Sequence, residues 1–270
     1  MRVGIVGLGL IGGSLAGALE AAGHDVSGCD RDPSVEKGAF LRGLIGALQT
    51  RDQLAATADV VILCIPVNET RLAIPEIAPQ MRDTAILTDV ASVKRPIIEV
   101  MNRLDSGPRC VGGHPMAGKA TGGVQAADPE LFRDAPYALV RSTRSDDDAV
   151  GIVSRLAEDA GANPVEIDAE SHDREVARTS HLPQVLSSAM SLAANGYRDT
   201  KLTGPGLAGM LRLARSDERL WSEILTWNAD AVGDAASAFR SSFDGLIDQI
   251  SSGDRAGVED QMRQAREALG

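Results

Sequence analysis

Aromatic side chains are scarce. Two Trp, two Tyr and four Phe make up 3% of the 270 residues, too few for the stacking platforms that hold unpaired bases. Positive charge is also in deficit: 27 Lys and Arg face 38 Asp and Glu, for a net charge of −11. That leaves no excess of basic charge to displace counterions, which argues against nucleic acid as a partner. No apolar run approaches the ~20 residues that span a bilayer. Met1-Arg2-Val3-Gly4-Ile5-Val6 lacks the apolar stretch and cleavage site of a signal peptide. Cysteine is limited to Cys29, Cys64 and Cys110, an odd number without metal-type spacing. With only four histidines, no metal site is in view. A cytoplasmic chain with no membrane partner is expected, its thiols serving as small core residues. The length suits one large domain or two modest ones.

The first 170 or so residues alternate short apolar runs with helical patterns, the signature of parallel α/β units. Strands are expected over 2–6, 25–29, 59–65, 85–89, 109–113, 137–141 and 164–167, with helices over 11–22, 69–78, 96–104 and 149–160. The strands are rich in Val, Ile and Leu and show no alternating polar face, as in a sheet covered on both sides. After Asp168 the pattern is helical. Residues 171–195 read as one long helix that Pro183 kinks or opens, and 207–213 as a short one behind Gly204-Pro205-Gly206. Ser216 suits the cap of the next helix, with Asp217 and Glu218 in its first turn and Leu220, Ile224, Leu225, Ala231 and Val232 on one face. Residues 254–269 close the chain, with Val258, Met262, Ala265 and Leu269 in one stripe. The expected fold class is α/β then all-α: a parallel-sheet domain over 1–170 and a helical domain over 171–270.

Gly7-Leu8-Gly9-Leu10-Ile11-Gly12 follows the first strand and opens the first helix. In that context Gly7 permits a tight turn, Gly9 lets backbone approach a pyrophosphate, and Gly12 allows close helix–strand packing. The helix N-terminus, with Leu10 and Ile11 in its first turn, offers free amides to the phosphates. Asp30 stands eighteen residues past Gly12, at the end of the second strand, where a carboxylate accepts ribose hydroxyls and repels a 2′-phosphate. This favours NAD over NADP, although Arg31 beside it works the other way. Pro66, beyond the end of another strand, completes the expected cofactor contacts.

Two further loops fall at strand ends, where ligands bind such sheets. One is Asp89-Val90-Ala91-Ser92-Val93-Lys94 and the other Gly112-Gly113-His114-Pro115-Met116-Ala117-Gly118. His114 can accept a proton near neutral pH, or simply bond to backbone. Ser92 can face a ligand or cap the helix that Pro96 opens.

These words together resemble the prephenate and arogenate dehydrogenase family of tyrosine biosynthesis. The resemblance rests on residues 7–14, Asp-Val-Ala-Ser-Val-Lys at 89–94 and Gly-His-Pro-Met-Ala-Gly at 113–118. His172-Asp173, Ser180-His181-Leu182-Pro183 and Arg212-Leu213-Ala214-Arg215-Ser216-Asp217 followed by Trp221 extend it to about residue 228. It implies a Rossmann domain, a helical dimerisation domain, a homodimer and NAD. It implies that His114 takes the proton of the substrate's ring hydroxyl while hydride leaves for the nicotinamide, with Ser92 orienting both. Arg212 would bind a substrate carboxylate and Trp221 would wall the pocket. His172 and His181 would lie near the cleft or brace the domain junction, with His181 nearer the site because Pro183 opens the helix beside it.

The chain departs from the pattern where many members have a second His, here Gln184, and where Gly206-Leu207-Ala208-Gly209 replaces Gly-Phe-Arg-Asp. Lys119 could restore positive charge, and it would repel the ammonium of arogenate, so prephenate is the favoured substrate. At 270 residues no fused mutase or ACT domain is expected. Two rivals remain. A β-hydroxyacid or imine reductase would use a lysine on a second-domain helix, but Lys201, the only lysine after Lys119, sits in a turn-like stretch. A non-catalytic NAD-binding sensor or scaffold would need neither His114 nor Ser92. If Asp30 sets cofactor choice, Asp30→Ser will raise the NADP-to-NAD ratio of kcat/KM; a wild type using both equally would remove that role.

Overall fold

Strands that are apolar on both faces pair in parallel when helices cover both sides. The computed structural model, which describes residues 1–119, 121–193 and 204–268, has one such sheet. Its strands are β1 (Arg2–Val6), β2 (Asp25–Cys29), β3 (Ala47–Leu48), β4 (Val60–Leu63), β5 (Ile86–Asp89), β6 (Arg109–Pro115), β7 (Pro136–Arg141) and β8 (Asn163–Glu166). They lie in the order β3-β2-β1-β4-β5-β6-β7-β8. Alternate residues enter opposite layers: Val60 and Ile62 pack with one apolar cluster, Val61 and Leu63 with the other. Helices α1 (Leu10–Ala21), α2 (Pro33–Leu41), α3 (Arg51–Thr57), α4 (Val67–Ile77), α5 (Arg95–Asn102) and α6 (Asp147–Asp159) clothe the sheet.

Three features differ from the sequence reading. The two-residue β3 was not expected, and the sheet is not wholly parallel. β6 and β7 are antiparallel, and β8 runs with β7. Strand direction is set by connections rather than by the apolar run itself. The edge strand β8 is mostly exposed, so the expectation of two covered faces fails there. Strand order reverses beside β1, which opens a crevice at the carboxyl ends of β1 and β4.

The helical half comprises α7 (Ala169–Val176), a π-helical segment (Ala177–His181), α8 (Leu182–Ala193), α9 (Pro205–Met210), α10 (Glu218–Trp227), α11 (Ala229–Ser252) and α12 (Arg255–Glu267). The expected helix over 171–195 is thus interrupted by a π turn just ahead of Pro183, which sits in the first turn of α8. Asn195, Lys201 and Leu269 lie outside the described residues. The helix expected behind Ser216 is two helices, broken at Asn228 (φ −116°, ψ 28°). α10 packs on the sheet domain through Ile224, Trp221 and Trp227. Trp227 Nε1 donates to Asn68 at 2.8 Å, and the Arg71 guanidinium lies 4.0 Å over its ring. By contrast α8, α11 and α12 bury little: Met190, Leu192, Phe239, Phe243, Ile247, Ile250 and Met262 are exposed.

The cap of α10 is Asp217, whose carboxylate accepts from Leu220 N at 2.8 Å, and not Ser216. Asp217→Ala is therefore expected to cost about 1 kcal/mol in chemical denaturation, and Ser216→Ala less than about 0.5 kcal/mol. The opposite ranking would return the cap to Ser216.

Candidate active site

The crevice holds two adjoining hollows that share Gly9, Cys64, Ile65 and Pro66. The outer one, about 540 Å³, is lined by Asp30, Arg31, Glu36 and Glu69 among others. The inner one, about 320 Å³, is lined by Leu10, Ile11, Ser92, Lys119, Ser216 and Trp221 among others, so both halves of the chain contribute. The glycine turn fits a dinucleotide. A Cβ on Gly7 (φ +93°) would lie 2.4 Å from the Cys64 carbonyl, and one on Gly12 1.8 Å from the Gly7 carbonyl, whereas one on Gly9 meets nothing within 4 Å. Two glycines are needed for packing, and the third presents bare backbone to open space. α1 has no side-chain cap, which leaves its first amides for an anion. The Asp30 carboxylate is aimed by two backbone donors, Leu8 N at 2.8 Å and Asp32 N at 3.0 Å. Arg31 is drawn off by Glu69 at 2.7 Å, so the cation beside Asp30 is engaged elsewhere.

A buried polar chain runs from the end of β6 into α7. His114, at the end of β6, is 7% exposed, and its Nδ1 lies 2.9 Å from Nε2 of His172 on α7. Nδ1 of His172 lies 2.8 Å from Oδ1 of Asp173. Asp173 also accepts from Lys94 N at 2.7 Å, Arg95 N at 3.0 Å and Arg95 Nε at 3.2 Å. Burial would push this carboxyl up, but the bonds from His172 and the two amides outweigh it and hold it below the usual carboxylate range. An ionised carboxylate can only accept, so a neutral His172 carries its proton on Nδ1 and presents Nε2 as acceptor. His114 must then donate from Nδ1, which leaves its Nε2 with a free lone pair. Burial, followed by His172, Lys94 and His181, pushes the pKa of His114 well below 6.5. The ring can therefore take a proton, but does not hold one at rest.

His181 does not bond to His114. Its Nδ1 lies 3.1 Å from Asn228 Nδ2, which also donates to the Asp173 carbonyl at 2.7 Å. Its ring stands edge-on to Trp221, with centroids 5.9 Å apart. Burial pushes its pKa down to about 4. His172 touches His114 directly, whereas His181 packs against Trp221 in the wall of the inner hollow. Nine residues along an ideal helix, about two and a half turns, would put the two rings on opposite faces. The π segment between them accommodates an extra residue and turns His181 back toward His172.

The other expected residues divide. Ser92 lines the inner hollow and does not cap α5, which has no side-chain cap of its own and is closed by Asp173 across the domain junction. Trp221 walls the hollow. The Lys119 ammonium turns to Asp128 at 2.9 Å. Gln184 is buried, donates from Nε2 to the Leu213 carbonyl at 2.9 Å, and has an unpartnered Oε1. Arg212 is exposed, and the hollow's wall is formed instead by Ser216 and Asp217 a turn later. Asp89, Lys94 and Asn228 have no role in the sequence reading, though each is fully buried. For Asp89 and Lys94 the available signal was two opposite charges at a strand end.

Two family models match the chain. One described as prephenate dehydrogenase, nucleotide-binding domain, covers residues 15–166, and one described as prephenate dehydrogenase, dimerization domain, covers 168–264. The chain is 30% identical over 268 residues to a prephenate dehydrogenase of Lactococcus lactis subsp. cremoris, across 96% of this chain and 73% of that one. Its fold is similar to that of Synechocystis arogenate dehydrogenase (TM-score 0.85, 32% identity, 100% of this chain and 99% of that one). It is also similar to a prephenate dehydrogenase from A. aeolicus in complex with hydroxyphenyl propionate and NAD+ (TM-score 0.89, 27% identity, 100% and 97%).

Asp173→Asn removes the charge and replaces one of the two accepting oxygens by a donor, so the four donors that converge there can no longer all be met and the tautomer chain loses its anchor. If the His114 lone pair matters, kcat on the folded fraction will fall by about 10²–10⁴ while NAD binding holds. Wild-type kcat in a folded variant would separate Asp173 from the chemistry.

Proposed function

The chain belongs to the prephenate dehydrogenase family, and from that premise we propose that it catalyses the NAD-dependent oxidative decarboxylation of prephenate to 4-hydroxyphenylpyruvate. The observation that carries this reading is the buried His114 ring, whose Nδ1 is taken up by the His172–Asp173 pair so that Nε2 keeps its lone pair, at the end of β6 in a fold whose inner hollow is lined by Ser92 and Trp221. The glycine turn, the α1 amides and Asp30 would hold NAD, which when bound supplies the acceptor for the hydride of the substrate's carbinol carbon. His114 Nε2 receives the hydroxyl proton in the same oxidation, and Ser92 orients that hydroxyl. The carbonyl formed stands opposite the ring carbon that carries the carboxylate. As carbon dioxide leaves, the electron pair of the broken bond enters the ring, and the oxygen regains a proton from His114. Aromatisation drives this loss, so the protein needs to supply orientation and one base.

One observation bears on a second reading, arogenate. Lys119, expected to repel the ammonium of arogenate, is occupied by Asp128 at 2.9 Å, so that repulsion does not oppose arogenate. Arg212 remains our proposal for a substrate carboxylate, although it is exposed in a single chain. We also propose a homodimer. The exposed apolar residues of α8, α11 and α12 support it, as does the match to a dimerization domain. No helix among the described residues is long and apolar enough to cross a membrane. We propose that the reaction takes place in the cytoplasm.

Turnover of prephenate and of arogenate with NAD, followed by the absorbance of reduced nicotinamide, tests the reading. Prephenate is expected to turn over, and His114→Asn to lose about 10²–10⁴ in rate. Because protonated His114 cannot accept, kcat/KM will fall as pH drops through its depressed pKa, so the acid limb will lie below 6.5. Turnover of arogenate alone selects the second reading. Tight NAD binding with no turnover of either would leave a sensor.

A further inference from the structure

A fully buried ion pair lies beneath His114, and the reaction as derived does not use it. Neither Lys94 nor Asp89 has any exposed side-chain surface. Lys94 Nζ donates to Asp89 Oδ2 and, at 2.7 Å, to the Gly113 carbonyl. The second Asp89 oxygen accepts from Gly113 N at 3.1 Å. Both main-chain polar groups of the residue before His114 are thus held by this pair.

The strand register explains why side chains are needed there. The β5–β6 ladder pairs Ile86 with Arg109, Leu87 with Cys110 and Thr88 with Val111, and then ends. β6 continues against β7, where His114 pairs with Ala138, so on its β5 side the backbone before His114 has lost its ladder partner. Asp89 and Lys94 stand in for the missing rungs. The fit is close: a Cβ on Gly113 would lie 2.5 Å from the Asp89 carbonyl oxygen. Lys94 also reaches the histidine chain from the other end, because its amide donates to Asp173 Oδ1, the oxygen bonded to His172.

We propose that Lys94 is a positioning residue for the reaction, its ammonium fixing the backbone that carries His114 and its amide fixing the carboxylate that sets the His114 tautomer. The inference rests on His114 being the base. An ammonium is unfavourable in a protein interior unless paired and fully bonded, and here every bond identified leads to the peptide of Gly113 or to its clamp. The charge has a second effect. The titratable and charged groups around His114 are His172, Asp173 and His181 from the helical half, Asp89 from β5, and Lys94 with Arg95 at the start of α5. A buried positive charge among them opposes a second one on His114 and keeps the ring an acceptor.

The test compares Lys94→Met with the double variant Asp89→Asn/Lys94→Met, which removes both charges and so remains informative if the single variant strands a buried carboxylate and misfolds. Each is measured for kcat, KM and NAD affinity, and His114 is titrated by NMR, which needs no turnover. We expect kcat to fall about 10²-fold in either folded variant, with NAD affinity unchanged. In Lys94→Met the His114 midpoint is expected to rise by about one pH unit. A purely structural lysine would lower the melting temperature yet leave folded enzyme with wild-type kcat, and that result overturns the proposal, as does an unmoved His114 midpoint in folded Lys94→Met. An inactive wild type whose His114 midpoint still responds to Lys94→Met would instead count against the reading of His114 as base.

Discussion

The Asp173 carboxylate is the point on which this molecule depends. It is fully buried, yet it accepts from His172 Nδ1, from the amides of Lys94 and Arg95, and from Arg95 Nε. A carboxylate taken out of water is tolerated only when its lone pairs are met in this way. Each donor comes from a part that must be held in register. The two amides are the uncapped start of α5, so a residue of the helical half closes a helix of the sheet domain. The imidazole is the middle of the chain that ends at His114. Fold and chemistry therefore share one anion, and loosening the domain junction would release the histidines together with the helix.

Asn228 extends the same logic. It breaks the helical half into α10 and α11, and its amide ties the Asp173 carbonyl to His181 while Arg95 donates to its Oδ1 at 3.0 Å. The break frees α10 to lay Trp221 and Ile224 over the inner hollow, while α11 carries its exposed Phe239 and Phe243 away from it. The two helices thus serve different surfaces, one facing the cleft and one presenting an apolar face outward.

Much of this was legible in the sequence where local chemistry decides the outcome. The glycine turn, Asp30, Ser92 and His114 sit at strand ends, and strand ends show as apolar runs followed by small or polar residues. What was not legible depends on partners distant in the chain. Asp173 looks like an ordinary helical acid until α5 is seen to lack a cap. The π turn over 177–181 leaves no mark in composition, so the relative facing of His172 and His181 could not be read from their nine-residue spacing. The reversal of β7 and β8 is invisible because an apolar run has no direction. Ser216 and Asp217 are both good caps, and only the backbone geometry chooses between them.

The chemistry of this site turns on which nitrogen of His114 carries the proton. The nitrogen chemical shifts of the four histidine rings, measured in the resting protein across neutral pH, report this directly. The Asp173–His172–His114 chain predicts a His114 ring protonated on Nδ1 and bare on Nε2, remaining so well below pH 6.5. A ring protonated on Nε2, or one that titrates at the ordinary histidine value, would contradict it.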